Sequence, residues 1–366
     1  MSSIKIAASP DRVMKDYLRH LLISGRAGAV LTLRRSEDTG SYDYGLITDP
    51  EGLDSATPLD PIMPANAGEI LAEVTPSKTS VAAVLKPCEI RAFIELVKRE
   101  QGSMENVLII SHTCGGAYPI QMAANKTLEG KNPEYFETVS EGRIPEGIRP
   151  TCAACEHFIP ANADVTVSLA CEKDSTNSCI LYFNTEEGAA STEGFEGDKG
   201  ADDFDSAAVS DLLKKRLAKK EEFYSSLMSE KTGLEFLIDT FGKCVGCHGC
   251  GHVCPICYCV LCDFESRNFD YDVKYIEKEL EQKKALRLPP DTVLFHMGRL
   301  THMSFSCVGC GLCSDVCPVN IPVSQIFKRT GEQTAGLFDY SAGMDPEEPI
   351  PVMVFKEEEF LEIGED

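Results

Sequence analysis

Eight cysteines in two matched runs carry the clearest chemistry in this sequence. Cys244, Cys247, Cys250 and Cys254 are followed by Pro255; Cys307, Cys310, Cys313 and Cys317 repeat the spacing and are followed by Pro318. Two-residue gaps let a chain curl around one iron–sulfur cube, so that three thiolates converge on three irons while the fourth cysteine serves a neighbouring cube. The proline then turns the chain away, because its fixed φ and missing N–H end regular structure. A pair of zinc ribbons is the alternative, but zinc sites of that kind draw on two cysteine pairs set far apart. Exchange of the fourth ligand predicts one 4Fe-4S cluster on Cys244, Cys247, Cys250 and Cys317. It predicts a second on Cys307, Cys310, Cys313 and Cys254. The chemistry is one-electron transfer, with no iron left open for a substrate. Glycines at 246, 249, 309 and 311 fit close backbone approach and N–H···S bonding.

Four further cysteines invite a third 4Fe-4S cluster. Cys88 and Cys114 follow apolar runs that read as strands, and parallel strands deliver their C-terminal ends to one sheet edge. Cys152 and Cys155 form a CxxC that could join them; read alone, that pair also suits a thioredoxin-like redox site, and isolated buried cysteines are common. Cys257, Cys259 and Cys262 offer three more thiols without an evident fourth ligand, so packing beside the clusters competes with a further metal. Cys171 and Cys179 have no partner by spacing. His248 and His252 lie inside the first run, as cluster-tuning groups or exposed polar filler. His296 and His302 flank a helix before the second run. No nucleophile–base pair, P-loop or dinucleotide fingerprint is present; Gly25-Arg26-Ala27-Gly28 lacks the third glycine and the preceding strand.

The elements around these residues read as α/β over residues 1–186. Residues 11–24 set Val13, Met14, Tyr17, Leu18, Leu21 and Leu22 on one helical stripe, stopped at Gly25. GAVLTLRR, SVAAVLK and NVLIISH then read as strands and EIRAFIELVKRE as an amphipathic helix, an alternation that suggests parallel pairing. Residues 187–204 are Gly-, Ser- and acid-rich and read as a linker or exposed loop. Residues 205–338 form a helical and two-cluster ferredoxin-like domain. Its helical opening, 205–242, shows an apolar side of Leu212, Leu213, Leu217, Phe223, Leu227, Leu234, Phe236 and Leu237. A charged insertion at about 263–304 separates the runs. Residues 339–366 read as an acidic, extended tail along the surface or a partner.

Seventeen cysteines in a chain with no apolar leader point to a cytoplasmic location, where thiolates serve metals. No apolar stretch is long enough for membrane insertion. The formal charge of −23 argues against nucleic acid as a partner.

In order and separation, LKPCEIRAFIELVK, NVLIISHTCGG, RPTCAACEHFIPANAD, CVGCHGCGHVCPICYCVLC and CVGCGLCSDVCPVNIP resemble the beta subunit family of deazaflavin (coenzyme F-420)-dependent hydrogenases and formate dehydrogenases. The formate dehydrogenase type is the nearer likeness. The resemblance spans about residues 10–345. It implies an N-terminal domain carrying FAD and a 4Fe-4S cluster on Cys88, Cys114, Cys152 and Cys155, with two more clusters in the ferredoxin part. It also implies an iron–sulfur electron-transfer subunit, an oxidoreductase component, relaying electrons between the catalytic subunit of a formate dehydrogenase or hydrogenase and a flavin, deazaflavin or other carrier. A flavin-free wire or adaptor, linking a hydrogenase or heterodisulfide reductase-like subunit, is the alternative. Three departures bear on it. Ser9-Pro10-Asp11-Arg12-Val13 replaces the glycine pair that opens the first helix, and PIMPANAGEI a Gly-Ser-type segment. Ser168 and Leu169 stand where a glycine turn follows Ala163-Asp164 and the strand Val165–Val167. A side chain there obstructs the close approach that glycine allows a flavin. A docking protein with structural clusters, or a disulfide reductase using Cys257, Cys259 and Cys262, are further readings.

Overall fold

The computed structural model describes residues 2–172, 177–200, 205–227, 233–266, 271–286 and 288–354. An eight-stranded mixed sheet forms the first half: β1 (Ser2–Ile6), β2 (Ala29–Arg35), β3 (Tyr42–Ile47), β4 (Val81–Val84), β5 (Val107–His112), β6 (Val165–Val167), β7 (Cys179–Phe183) and β8 (Asp198–Lys199). Its order is β3-β2-β4-β5-β6-β7-β1-β8. The four central strands β2, β4, β5 and β6 are parallel, and every outer pairing is antiparallel. Strands β4 and β5 are buried along their whole length, which is why they read as unbroken apolar runs rather than alternating ones.

Helices cover both faces. On one, α1 (Pro10–Ile23) buries Val13, Met14, Tyr17, Leu18 and Leu21, while Leu22 stays partly exposed. Pro10 suits its first position, where no N–H is needed, and Gly25, at φ +70°, ends it in the left-handed conformation. On the other face, α2 (Ala67–Glu73) packs against α3 (Pro87–Val97). The buried carboxylate of Glu89 locks α3 in place, accepting from Lys86 N–H at 2.7 Å, Ala67 N–H at 3.1 Å and Tyr44 O–H at 2.6 Å. The chain then runs through α4 (Ile120–Ala124), α5 (Asn132–Ser140) and α6 (Pro150–Ala153), all before β6.

The Gly- and acid-rich stretch 187–204 is more ordered than its composition suggests. Helix α7 (Glu186–Ser191) is capped by the Thr185 hydroxyl, and β8 pairs with β1; residues 201–204 lie outside the described set. Next come α8 (Ser206–Ser225) and α9 (Gly233–Phe241). Leu212 and Phe223 are buried, but Leu217 and Leu234 are exposed, so the apolar side is narrower than the sequence implies. The second half continues with α10 (Gly249–His252), α11 (Val273–Lys283), α12 (Thr292–Met303), α13 (Leu312–Asp315) and α14 (Val323–Ala335).

From residue 340 the tail departs from the expected extended course. Tyr340, Ala342 and Ile350 are buried, and this strap lies against α3. Glu95, fully buried, holds it: its carboxylate accepts from Tyr340 O–H and from Gly343 N–H at 2.8 Å, and faces Arg99 at 2.9 Å and Lys98 at 3.7 Å. A buried anion with two cations and two donors is the reason an acidic, Pro-rich sequence packs here rather than extending. Glu95→Gln keeps the shape but leaves both cations without a countercharge. The expected cost is about 1–3 kcal/mol, read as a lowered urea midpoint with faster proteolytic cleavage after residue 340; wild-type cleavage rates would refute the anchor.

Candidate iron–sulfur sites

The parallel strands place the first set. Strand β4 ends at Val84 and leads through Lys86-Pro87 to Cys88 in the opening turn of α3; β5 ends at His112, two residues before Cys114. Residues 149–158 fold over this edge, with Cys114 N–H donating to Phe158 O at 2.8 Å and Arg149 N–H to Ala117 O at 2.8 Å. Cys88, Cys114, Cys152 and Cys155 thereby line one cavity, together with Thr151, Phe158 and Arg216. Sequence spacing alone left this grouping open; the sheet edge brings it together.

Cavity chemistry suits an anionic sulfur-rich group. Backbone N–H groups of Gly116 and Ala117 point at Cys114 Sγ and Cys152 Sγ, at 3.3 and 3.4 Å. The Arg216 guanidinium, from α8, closes the cavity: it donates to the carbonyls of Cys152, Cys155 and Cys114 at 3.3, 3.3 and 2.9 Å and lies 4.6 Å from the Phe158 ring centre. Arg216 Nε and Thr151 Oγ1 are buried there with no protein hydrogen-bond partner, as donors awaiting an acceptor. Burial pushes the Cys114 thiol up to about 12 and raises that of Cys152. Such thiols ionise only when a metal takes the proton's place. The residues present therefore fit a 4Fe-4S cluster.

Cys254, Cys307, Cys310 and Cys313 line a second cavity, walled by Val253, Ile256, Met303 and Phe327. Cys310 lines this cavity and the first one as well. Gly311 allows that contact: it sits at φ +86°, where a Cβ would come within 2.4 Å of Thr151 Oγ1. Arg149 seals the junction, pairing with Asp315 at 2.7 Å and donating to Cys310 O at 3.3 Å and Met63 O at 2.9 Å.

The third grouping is Cys244, Cys247, Cys250 and Cys317; Cys244 and Cys317 pack against the core cluster that contains Cys250. Gly246 N–H and Ile321 N–H point at Cys244 Sγ and Cys317 Sγ, at 3.4 and 3.2 Å. Cys250 is buried, whereas Cys247 is exposed and flanked by the exposed side chain of Val245. Cys313 and Cys307 pack against the same apolar cluster as Cys250, Cys244 and Cys317, so the second and third groupings are neighbours. Among the described residues, no three His, Cys, Asp or Glu side chains close on a single-ion point. A four-iron cube instead spreads its thiolates around its corners.

The remaining residues resolve differently. Cys257 packs beside Ile256 and donates to Met303 Sδ at 2.9 Å, while Cys259 is exposed. Cys179 lies in the sheet core and Cys171 is buried. His248 is not exposed filler: it stacks on Phe295 at 4.1 Å and pairs with Glu265 at 2.9 Å. His296 stacks on Phe241 at 4.1 Å, and burial lowers it to about 3, so it is neutral. Arg149, Arg216 and Arg299 went unnoticed in the sequence because their acceptors are backbone carbonyls and thiols on remote segments.

At the turn after β6, Leu169 is buried in the sheet's core, and Leu169 N–H and Ala170 N–H donate to Thr113 Oγ1 at 2.8 and 2.7 Å. This turn is filled by the chain itself and does not fit a flavin ring.

Residues 78–199 match the family described as the C terminus of the coenzyme F420 hydrogenase/dehydrogenase beta subunit, and residues 240–321 match the 4Fe-4S dicluster domain. The F420-dependent formate dehydrogenase subunit beta of Methanocaldococcus jannaschii is 28% identical over 361 residues, covering 89% of this chain and 90% of that protein. The F420-dependent formate dehydrogenase 1 subunit beta of Methanococcus maripaludis is 28% identical over 363 residues, covering 90% of each. A chain of the F420-reducing [NiFe] hydrogenase complex from Methanosarcina barkeri aligns with 64% of this chain and 94% of its own length, at 11% identity and a TM-score of 0.47, too distant a likeness to bear on function. The family matches and the two relatives bear out the resemblance read from the sequence. No helix among the described residues is long and apolar enough to cross a membrane.

Proposed function

We propose that this chain, a member of the beta subunit family of deazaflavin-dependent hydrogenases and formate dehydrogenases, is the iron–sulfur electron-transfer subunit of a formate dehydrogenase-type complex. One observation supports the reading: neighbouring cysteines link the sheet edge to the two ferredoxin-type runs. Cys310 lines the sheet-edge cavity as well as the second one, and Cys313 packs against the cluster that holds Cys250. The clusters, when bound, supply one-electron exchange at each set.

The chain's own residues do the rest. Twelve thiolates hold three 4Fe-4S clusters, and backbone N–H groups of residues 116, 117, 246 and 321 stabilise the charge on the sulfurs. Val253, Ile256, Met303 and Phe327 keep water from the central set. Exposed Cys247 and Val245 mark the end open to a redox partner, which we take to be the catalytic subunit. At the sheet end the relatives' names point to a deazaflavin as the other carrier. FAD, implied by the family, has no place at the Ser168-Leu169 turn, where buried Leu169 fills the space.

Anaerobic isolation of the native complex tests this reading. About 12 each of iron and sulfide are expected in this subunit once it is separated from the complex, bleached by dithionite, with a molybdenum- or tungsten-containing partner co-purifying beforehand. Counts near ~8 would remove the Cys88 set, and iron that cannot be reduced would sink the function altogether. Flavin is counted in the same sample.

A further inference from the structure

We propose that Arg299 is a shared positive charge between the two ferredoxin-type cysteine sets, a positioning residue that raises the reduction potentials of both clusters. The inference rests on the reading of those sets as 4Fe-4S ligands. Arg299 projects from α12, in the insertion that separates the two runs. Nη1 donates to Cys250 Sγ at 3.1 Å and Nη2 to Cys250 O at 2.9 Å, while Nε reaches Cys257 Sγ at 3.5 Å. The same side chain lines the cavity of Cys254, Cys307, Cys310 and Cys313. One guanidinium therefore bonds a ligand of one set and walls the site of the other.

Its setting is that of a fixed charge rather than a surface ion. Arg299 is 3% exposed, with the rings of Phe327 and Phe295 at 4.9 and 5.5 Å from the guanidinium carbon. Around it lie the sulfurs of Cys250 and Cys257, which accept its hydrogen bonds, and Cys254 in the cavity it lines. A buried cation is stable only against a counterion, and here sulfur supplies it. Arginine keeps its proton at any working pH, so the charge persists through every redox state. Each added electron places more negative charge beside it, in surroundings that screen poorly. Reduction is favoured at both sets. The repulsion between two neighbouring reduced clusters is also offset, which lets the pair accept two electrons at less widely separated potentials. A stand-alone two-cluster domain would lack this insertion and its charge.

Redox titration of the full-length protein, followed by electron paramagnetic resonance, tests the proposal on wild type, Arg299→Gln and Arg299→Lys. Arg299→Gln is expected to move both ferredoxin-type signals to more negative potential and to leave the Cys88-set signal unmoved; Arg299→Lys should fall between. Wild-type potentials in an iron-replete Arg299→Gln protein would overturn the role, as would an equal shift of all three signals. If Arg299→Gln loses iron, Arg299→Lys decides, because its retracted charge must still shift the Cys250-set signal negative, and an unshifted signal overturns the proposal. Failure of the cluster reading itself would show separately, as missing iron and signals in the wild type.

Discussion

Replacing Arg149 with alanine is expected to cost about 3–5 kcal/mol and to loosen the ferredoxin-type segment from the sheet domain. Arg149 is 1% exposed, and its fork joins Met63 O in the sheet domain to two groups of the second cysteine run, Cys310 O and the Asp315 carboxylate. Asp315 in turn accepts from Ile120 N–H at 3.1 Å. Removing the guanidinium leaves this carboxylate buried with one neutral donor and strips two carbonyls of their partners. Denaturant unfolding under nitrogen measures the loss. Asp315→Asn in the Arg149→Ala background should recover part of it, because the uncompensated charge is gone. A single-variant cost below about 1 kcal/mol would mean that the pair contributes no more than a surface salt bridge. The functional consequence is distinct: iron content should persist, while reduction of the sheet-edge set through the ferredoxin-type sets slows, since Arg149 fixes Cys310 between them.

Cys152→Ala should remove the sheet-edge cluster alone. Cys152 lines that cavity and not the one shared by Cys254, Cys307 and Cys313. About one third of the iron and sulfide should disappear, with one paramagnetic signal, and the other two signals should remain. Stability should fall as well, because the Ala117 N–H loses its sulfur acceptor and the Arg216 charge faces an emptied cavity. Cys259→Ser, at an exposed thiol, is the matched control and should retain full iron. Full iron in Cys152→Ala would show that this cysteine holds no cluster.

Much of the fold could be read from periodicity. The strands at 29–35, 81–84 and 107–112 lie inside the sheet and announce themselves as apolar runs, and α1 shows its stripe because one face meets the core. The tail misled because its composition is polar while its anchor is not: Glu95, Lys98, Arg99 and Tyr340 satisfy one another only after α3 and the strap meet. The stretch at 187–204 misled for a related reason, since pairing of β8 with β1 is set by backbone hydrogen bonds that need no apolar side chain.

The sequence by itself determined the two matched cysteine runs, and the match to a 4Fe-4S dicluster domain over residues 240–321 agrees with them. Ligand spacing within a run is a local property: two intervening residues bring successive thiols to one side, whatever the rest of the chain does. Only the tertiary structure decided that Cys88, Cys114, Cys152 and Cys155 share a cavity, that Cys310 borders two sets, and that Arg149, Arg216 and Arg299 hold the sets in place. The acceptors of those guanidinium groups are carbonyls, thiols and one carboxylate brought from as far as 166 residues away, and a carbonyl leaves no mark in the sequence.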